Sequence, residues 1–195
     1  FVIERILNKS VTLDFARKAE VRAPLTYRVS NVSELEQLRD QLRFPLVAKP
    51  YHKSRETHFK VRYFASYDAL HQAFADDDQL AGAIVLQEFA EGDGVGIEVI
   101  IHRGEPVAIF QHRRLKGVPA SGGAAAVAVA EPPDPMLVNQ ALALLRALEW
   151  EGIAMVEFRY DRTQQRSSLM EVNGRYWGTL ALAIHSGVDF PLSLI

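Results

Sequence analysis

The sequence contains no cysteine. This absence excludes disulfide bonds, thiolate metal sites and a cysteine nucleophile, and it fits a cytoplasmic location. No apolar run approaches the roughly 18 residues of a membrane span. The first residues also lack the basic and then apolar order of a signal peptide. We therefore expect no membrane partner.

The sequence also lacks a predominant charge and the short motifs of several enzyme classes. Lysine and arginine number 22 against 24 acidic residues, which leaves a net charge of -2. This balance gives no electrostatic reason to expect binding to nucleic acid. No G-x-S-x-G, P-loop or H-E-x-x-H pattern is present, so the sequence shows no sign of a serine hydrolase, a P-loop nucleotidase or a zinc protease of that type.

The 195 residues suit one large domain or two small lobes. Hydrophobic periodicity, with capping residues such as Ser10, Ser30 or Asn31, and Asp134, predicts helices at 10–19, 32–42, 67–75, 135–148 and 180–185. Alternating β-rich segments predict strands at 26–29, 46–49, 59–65, 83–89, 95–102, 106–113, 124–130, 153–161 and 167–173. Helices alternate with strands early, and antiparallel hairpins dominate later, so the predicted fold class is α+β.

The last two predicted strands carry the most informative pattern. In the first, Glu157 faces away from the apolar side formed by alternate residues. In the second, Leu169, Glu171 and Asn173 alternate onto one side. If the strands form a hairpin that is symmetric about Gln164, Glu157 lies directly opposite Glu171.

Two opposed carboxylates lie about 5 Å apart at Cβ and destabilise each other. Either a shared proton or a bound cation relieves the repulsion. Two carboxylates with the amide oxygen of Asn173 suit Mg²⁺ or Mn²⁺, and Mg²⁺ usually completes its shell with water and phosphate oxygens. Arg175 continues the alternation and suits a transferring phosphoryl group. The alternative is a surface hairpin with ordinary charges, and a slip of one residue would remove the arrangement.

Glu157 followed by Glu171-Val172-Asn173-Gly174-Arg175 resembles the metal-binding end of the ATP-grasp superfamily, as in biotin carboxylase and carbamoyl-phosphate synthetase. The resemblance extends from about Lys9 to the end of the chain. It implies an ATP-grasp fold in which two α+β lobes with antiparallel sheets clasp ATP. It further implies an N-terminal segment at 1–43, a small lobe at 44–89 and a large lobe at 90–195. The chain opens with Phe1 and stops in an apolar segment, so we expect a piece of a longer protein without its preceding α/β domain.

The resemblance also implies roles for individual residues in binding ATP. Lys9 and Lys49 correspond to lysines that approach the phosphates. Residues 88–90, which are Glu88, Phe89 and Ala90, correspond to the hinge that holds adenine. Glu98 corresponds to an acidic position near the ribose. The alternative for each charged residue is an exposed side chain without a ligand.

One segment departs from the family pattern. Residues 51–60 contain no glycine where relatives often have a glycine-rich phosphate loop. They are basic instead, so we expect a mobile lid with phosphate contacts from side chains, or else a solvated loop. Farther along, Arg113, Arg114 and Lys116 lie where relatives place substrate-facing residues and suit a carboxylate or acyl phosphate. Gly122 and Gly123 allow close approach of a ligand.

These features favour an ATP-dependent ligase with ATP and Mg²⁺ (or Mn²⁺) as cofactors. It would phosphorylate a small-molecule carboxylate, and an amine or similar nucleophile would attack the acyl phosphate. Arg175 and Arg113 are the candidate catalytic residues. One alternative is a nucleotide-binding regulatory or assembly module without turnover, and another is a metal-dependent phosphatase or nuclease. The sequence identifies neither the substrates nor the oligomeric state.

Overall fold

The computed structural model describes residues 2–50, 61–77, 80, 84–118 and 124–194. The chain divides into two compact units, one of Pro24–Ala90 and one of Phe1–Ala23 with Glu91–Ile195. Each unit has its own antiparallel sheet and its own apolar core, and the predicted α+β class is confirmed. The bounds of the units differ from the expected segments 1–43, 44–89 and 90–195, because the strand at 26–29 pairs within the same sheet as the strands after residue 44.

The helices and strands follow the predicted order closely. Within the described residues, the helices are α1 (Val2–Leu7), α2 (Lys9–Lys18), α3 (Val32–Gln37), α4 (Tyr67–Asp76), α5 (Pro135–Ala147) and α6 (Leu180–His185), with 3₁₀ turns at Arg39–Gln41 and Leu192–Leu194. The strands are β1 (Thr26–Val29), β2 (Leu46–Pro50), β3 (Arg62–Phe64), β4 (Ile84–Glu88), β5 (Asp93–His102), β6 (Glu105–Val118), β7 (Ala124–Glu131), β8 (Gly152–Asp161) and β9 (Arg166–Asn173).

Three features of the helices differ from the prediction. Asn8, rather than Ser10, caps α2, because its side chain accepts hydrogen bonds from the Ser10 and Val11 amides. Helix α3 ends at Gln37, and a 3₁₀ turn follows it, where the pattern predicted a helix up to residue 42. Helix α1 was not predicted. None of its residues is fully buried, although Val2 and Ile6 pack against the core of this unit.

The unit Pro24–Ala90 contains the four-stranded sheet, in the order β1-β4-β2-β3. One face of this sheet packs on α3 and α4 through buried residues such as Leu35, Leu70 and Leu86. The N-terminus of α3 is fixed by the predicted Asn31 cap, whose side chain accepts from the Glu34 amide at 2.9 Å. Glu34 in turn accepts from the Ser30 amide at 2.8 Å, so two helix-end donors are satisfied together.

The other unit contains the five-stranded sheet, in the order β7-β6-β5-β8-β9. One face packs on α2 and α5 in a large apolar layer. The predicted cap Asp134 starts α5 by accepting from the Met136 amide at 2.9 Å. The opposite face is apolar over only part of its area, where Trp177 and Phe190 cover Phe110 and Met155. The rest of this face carries polar side chains.

An ion-pair network lies at one end of the five-stranded sheet. Glu131 accepts from Arg113 Nε at 2.6 Å and is also paired with Arg162. Both arginines lie near Asp93, at 3.8 Å and 3.7 Å. Burial by itself raises the pKa of Glu131, but the hydrogen bonds from Arg113 and Arg162 outweigh it and leave the pKa lowered. Because the folded pKa is lowered, the carboxylate stabilises the fold at neutral pH, and this contribution is lost as the pH falls through the folded pKa.

Glu131→Gln tests this network. The variant should unfold at a lower temperature than the parent at pH 7, by on the order of a few degrees, and the difference should shrink as the pH falls toward 3. Thermal unfolding followed by circular dichroism across this range gives the comparison. An equal difference at every pH would contradict a stabilising role of the ionised carboxylate.

Candidate functional site

The β8–β9 hairpin places Glu157 directly opposite Glu171, as the sequence predicted. The hairpin is not symmetric about Gln164 along its whole length, although Glu157 and Glu171 are paired as predicted. The turn takes residues 162–165, so Asp161 pairs with Arg166, one residue away from the predicted register. The register shifts between Glu157 and Phe158, where Met170 forms a β-bulge. This extra residue restores the predicted pairing at the far end of the hairpin.

The bulge decides which side of the sheet Glu171 occupies. Without an extra residue, the pairing at the turn would continue and set Glu171 opposite Val156, which is fully buried in the apolar layer. A shift of one residue moves a side chain to the other face. One prediction is wrong because of the bulge: Leu169 does not lie on the same face as Glu171 and Asn173. It is 2% exposed and packs in the apolar layer.

Glu157 and Glu171 belong to a row of residues that crosses the sheet. Glu157 is opposite Gly96 of β5, and Gly96 is opposite His112 of β6. Two residues along the strands, Arg114 of β6 is opposite Gly94 of β5. Since directly opposed residues share a face, Arg114, His112, Glu157 and Glu171 all lie on the polar side of the sheet.

The Glu157 carboxylate has a donor on each oxygen. Arg114 Nη2 lies 3.0 Å from Oε2, and Asn173 Nδ2 donates to Oε1 at 3.2 Å. Asn173 uses its amide nitrogen for this bond, and its carbonyl oxygen is a further oxygen in the same buried side chain. Glu171 is half-buried beside them. This donor set of two carboxylates and one amide oxygen matches the hard ligands that Mg²⁺ and Mn²⁺ prefer.

The protein side chains alone make an incomplete metal cage. Across the described ranges, no group of three or more histidine, cysteine, aspartate or glutamate side chains is arranged to hold a metal ion. A divalent ion held by Glu157, Glu171 and Asn173 would therefore need further oxygens from water or a ligand. Mg²⁺ commonly binds proteins in this way, with phosphate oxygens in its shell.

Glu98 lies next to this row in a fully buried cluster. Its Oε1 accepts from Thr179 Oγ1 at 2.6 Å and lies 2.8 Å from His112 Nδ1. Its Oε2 is buried without a hydrogen-bond partner among the described residues. Glu98 is 0% exposed in this arrangement, and its role beside the ribose stays a prediction. Its geometry holds the His112 ring, a contact that depends on the β5–β6 register and was not predicted.

The two candidate catalytic arginines lie apart from Glu157. Arg113 is on the opposite face of β6, where it belongs to the Glu131 network. Its neighbour Arg114, rather than Arg113, contacts the acidic pair. Arg175 is exposed just beyond β9 and donates to the Tyr176 carbonyl at 3.0 Å. Lys116 is also exposed on β6.

The candidate phosphate lysines lie in different units. Lys49 is on the non-core face of the four-stranded sheet and donates to Gln87 Oε1 at 2.6 Å. Gln87 in turn donates to Thr26 Oγ1 at 3.1 Å. This chain of hydrogen bonds holds the ammonium group of Lys49 at a defined position. Lys9 is the first residue of α2 in the other unit and is half-buried.

The candidate adenine hinge follows β4. The Glu88 amide donates to the Leu25 carbonyl at 2.9 Å, and the Phe89 amide donates to the Pro45 carbonyl at 3.0 Å. Phe89 is 41% exposed and packs edge-on against Tyr63. Glu88 Oε1 is buried without a partner among the described residues. Two of the three hinge amides are therefore already bonded, and Ala90 follows them.

The predicted basic segment at 51–60 and the glycine pair Gly122-Gly123 lie outside the described residues. No helix in the part of the chain that the structure describes is long and apolar enough to span a membrane.

The family model described as "ATP-grasp in the biosynthetic pathway with Ter operon" matches residues 81–195, more than half of the chain. The chain belongs to this ATP-grasp family. The matched region includes β5 to β9, and with them the acidic pair. The resemblance inferred from Glu157 and the E-x-N-x-R motif is therefore confirmed. No protein with a curated description matches the chain by sequence.

Solved structures share the fold of this ATP-grasp chain. An N5-carboxyaminoimidazole ribonucleotide synthetase from Thermotoga maritima is 18% identical with a TM-score of 0.73, and the match covers 99% of this chain and 49% of that protein. An L-amino acid ligase from Bacillus licheniformis is 19% identical with a TM-score of 0.69, and the match covers 96% and 44%.

A third similar structure is that of the ATP-grasp ligase PsnB with minimal precursor, Mg and ADP. It is 14% identical with a TM-score of 0.71, and the match covers 98% of this chain and 58% of PsnB. The chain thus spans about half the length of these ligases. At these identities the similarity establishes the ATP-grasp fold.

The close approach of His112 to β5 explains why position 96 is glycine. A Cβ atom on Gly96 would lie 2.2 Å from His112 Cε1. Gly96→Ala should therefore displace His112 and lower the free energy of unfolding by about 1–3 kcal/mol. Gly178→Ala is the matched control, because a Cβ there meets nothing within 4 Å. Urea unfolding of both variants tests this, and equal stability of the two would contradict the packing.

Proposed function

We propose that this ATP-grasp chain is the nucleotide-binding and catalytic part of an ATP-dependent ligase that phosphorylates a carboxylate. The observation that carries the proposal is the opposed pair of Glu157 and Glu171, flanked by Asn173, in a chain of the ATP-grasp family. Two carboxylates in this position need a cation, and the fold family supplies a reason for a nucleotide phosphate beside it.

In this proposal, Glu157, Glu171 and the carbonyl oxygen of Asn173 hold Mg²⁺ or Mn²⁺. When bound, the ion neutralises charge on the β- and γ-phosphates during transfer. The protein's part is to hold these oxygens on one rigid sheet face. Because the ligands come from adjacent strands, their spacing is set by the β8–β9 hydrogen bonds rather than by a flexible loop.

We assign the nucleotide contacts to the residues that the family resemblance implies. The Lys49 ammonium, oriented by Gln87, contacts phosphate oxygens, and Lys9 is a second phosphate ligand. The hinge at Glu88, Phe89 and Ala90 binds adenine. Since the Glu88 and Phe89 amides already donate to carbonyls, the Ala90 amide is the proposed donor to the base. Glu98, whose carboxylate is buried in this structure, is kept as the candidate acidic residue near the ribose.

For the acceptor substrate we propose only its chemical class, a carboxylate. A cationic side chain on the polar face is needed to hold the substrate carboxylate or the acyl phosphate. Arg175 remains the candidate for the transferring phosphoryl group. Arg113 is assigned to the Glu131 network, so we do not assign it a catalytic role. One protein of similar fold is named an L-amino acid ligase, and another was solved in complex with a precursor peptide, and both amino acids and peptides offer carboxylates.

Glu171→Gln tests the metal assignment. Removal of one negative charge should weaken metal binding and reduce ATP turnover by at least about 10²-fold, while the circular dichroism spectrum stays unchanged. ADP release from the intact protein, in the presence of a library of carboxylates and amines, is the measurement.

Glu105→Gln is the control for this variant, because Glu105 is an exposed carboxylate on β6 with 78% of its side chain accessible. It should leave turnover unchanged. Undiminished turnover by Glu171→Gln at saturating Mg²⁺ would contradict the assignment. Nucleotide binding without turnover by the parent, whatever the acceptor, would favour the regulatory module.

Lys49→Ala tests the proposed phosphate contact of this lysine. Loss of a charge-assisted hydrogen bond should weaken ATP binding by roughly tenfold or more. Calorimetric titration with a non-hydrolysable ATP analogue gives the affinity. Arg62→Ala, at an exposed pair with Asp77 in the same sheet, is the control. If both variants bind as the parent does, Lys49 does not contact the phosphates.

A further inference from the structure

Arg114 reaches the acidic pair across an intervening strand. It extends from β6, whereas Glu157 is on β8, and β5 lies between them. Neighbouring strands are about 4.8 Å apart, so the side chain must span roughly 10 Å together with that of Glu157. A Cβ atom on Gly94 would lie 3.4 Å from Arg114 Cβ and 3.7 Å from its Nε. The arginine therefore lies flat over a position that carries no side chain.

Arg114 is bonded through only part of its guanidinium group. Its Nη2 meets Glu157 Oε2 at 3.0 Å, with both side chains about one-fifth exposed. Its Nε is buried without a hydrogen-bond partner among the described residues. A guanidinium has five donors in a fixed fork that suits carboxylate and phosphate oxygens. Arg114 thus retains binding capacity for a further anion.

The contact with Arg114 opposes the binding of a cation at the same carboxylate. A divalent ion at Glu157 would meet a positive charge already bonded to Oε2, and the other oxygen accepts from Asn173. Charges this close interact strongly at a partly buried site. For a cation to bind well, Arg114 must move away or find an anionic partner of its own.

We propose that Arg114 and the divalent cation compete for Glu157, and that nucleotide phosphate relieves the competition by accepting the Arg114 guanidinium. This inference rests on the proposed metal site. In this proposal Arg114 is a positioning residue. It lowers the affinity for the divalent cation when no nucleotide is bound, so that binding of nucleotide strengthens binding of the cation. The site then takes up metal together with phosphate rather than metal alone.

The direct test is the affinity for Mn²⁺ without nucleotide, from the electron paramagnetic resonance signal of unbound Mn²⁺. Arg114→Met in the intact protein should bind Mn²⁺ about tenfold more tightly than the parent, because a charge-assisted contact no longer competes. Arg114→Gln should change the affinity in the same direction. A non-hydrolysable ATP analogue should then enhance Mn²⁺ binding less in both variants than in the parent.

Arg113→Met is the matched control, since it removes the same charge from the adjacent residue on the opposite face, where Arg113 is bonded to Glu131. It should leave the Mn²⁺ affinity within about twofold of the parent. An unchanged or weaker affinity in both Arg114 variants would overturn the competition while leaving the metal site in place. Failure of every variant and of the parent to bind Mn²⁺, with and without the analogue, would overturn the metal site as well.

Discussion

The opposition of Glu157 and Glu171 is the constraint on which the site depends. Two carboxylates at directly opposed positions repel each other unless a positive charge lies beside them. In this chain a single extra residue in β9, Met170, creates that arrangement. Without the bulge, Glu171 would be opposite the buried Val156, and its carboxylate charge would be buried in the apolar layer at a high cost in free energy. The bulge therefore satisfies the core and the polar face together, because Leu169 and Val172 both remain in the apolar layer.

The polar face depends equally on residues that have no side chain. Gly94 and Gly96 lie on the strand between β6 and β8, and the side chains of Arg114 and His112 lie over them. Larger residues there would separate the Arg114 and His112 side chains from the Glu157 carboxylate. His112 is fixed from behind by the buried Glu98, which Thr179 also bonds. Trp177 and Phe190 cover the remaining apolar area of this face, so the polar side chains lie beside a packed apolar cluster.

The acidic pair could be predicted from the sequence because the pairing of Glu157 with Glu171 depends on local chain geometry. A hairpin needs only a turn and alternation, and its far end was placed correctly even though the turn is one residue off and the bulge was not foreseen. The roles of Arg113, Arg114 and Glu98 depend on pairing among β5, β6 and β8. The Arg114–Glu157 contact, for example, joins residues that are 43 positions apart in the sequence. Alternation along one strand separates Arg113 from Arg114 but does not say which of them faces the acid. Helix α1 was not predicted, and it is only six residues long.

The most direct measurement is a crystal structure of the intact protein with Mn²⁺ and a non-hydrolysable ATP analogue, with the metal located by its anomalous scattering. We expect the Mn²⁺ peak within coordination distance of Glu157, Glu171 and the Asn173 carbonyl oxygen, with phosphate oxygens completing the shell. A metal and nucleotide bound elsewhere, with both carboxylates turned away from the ion, would contradict the account.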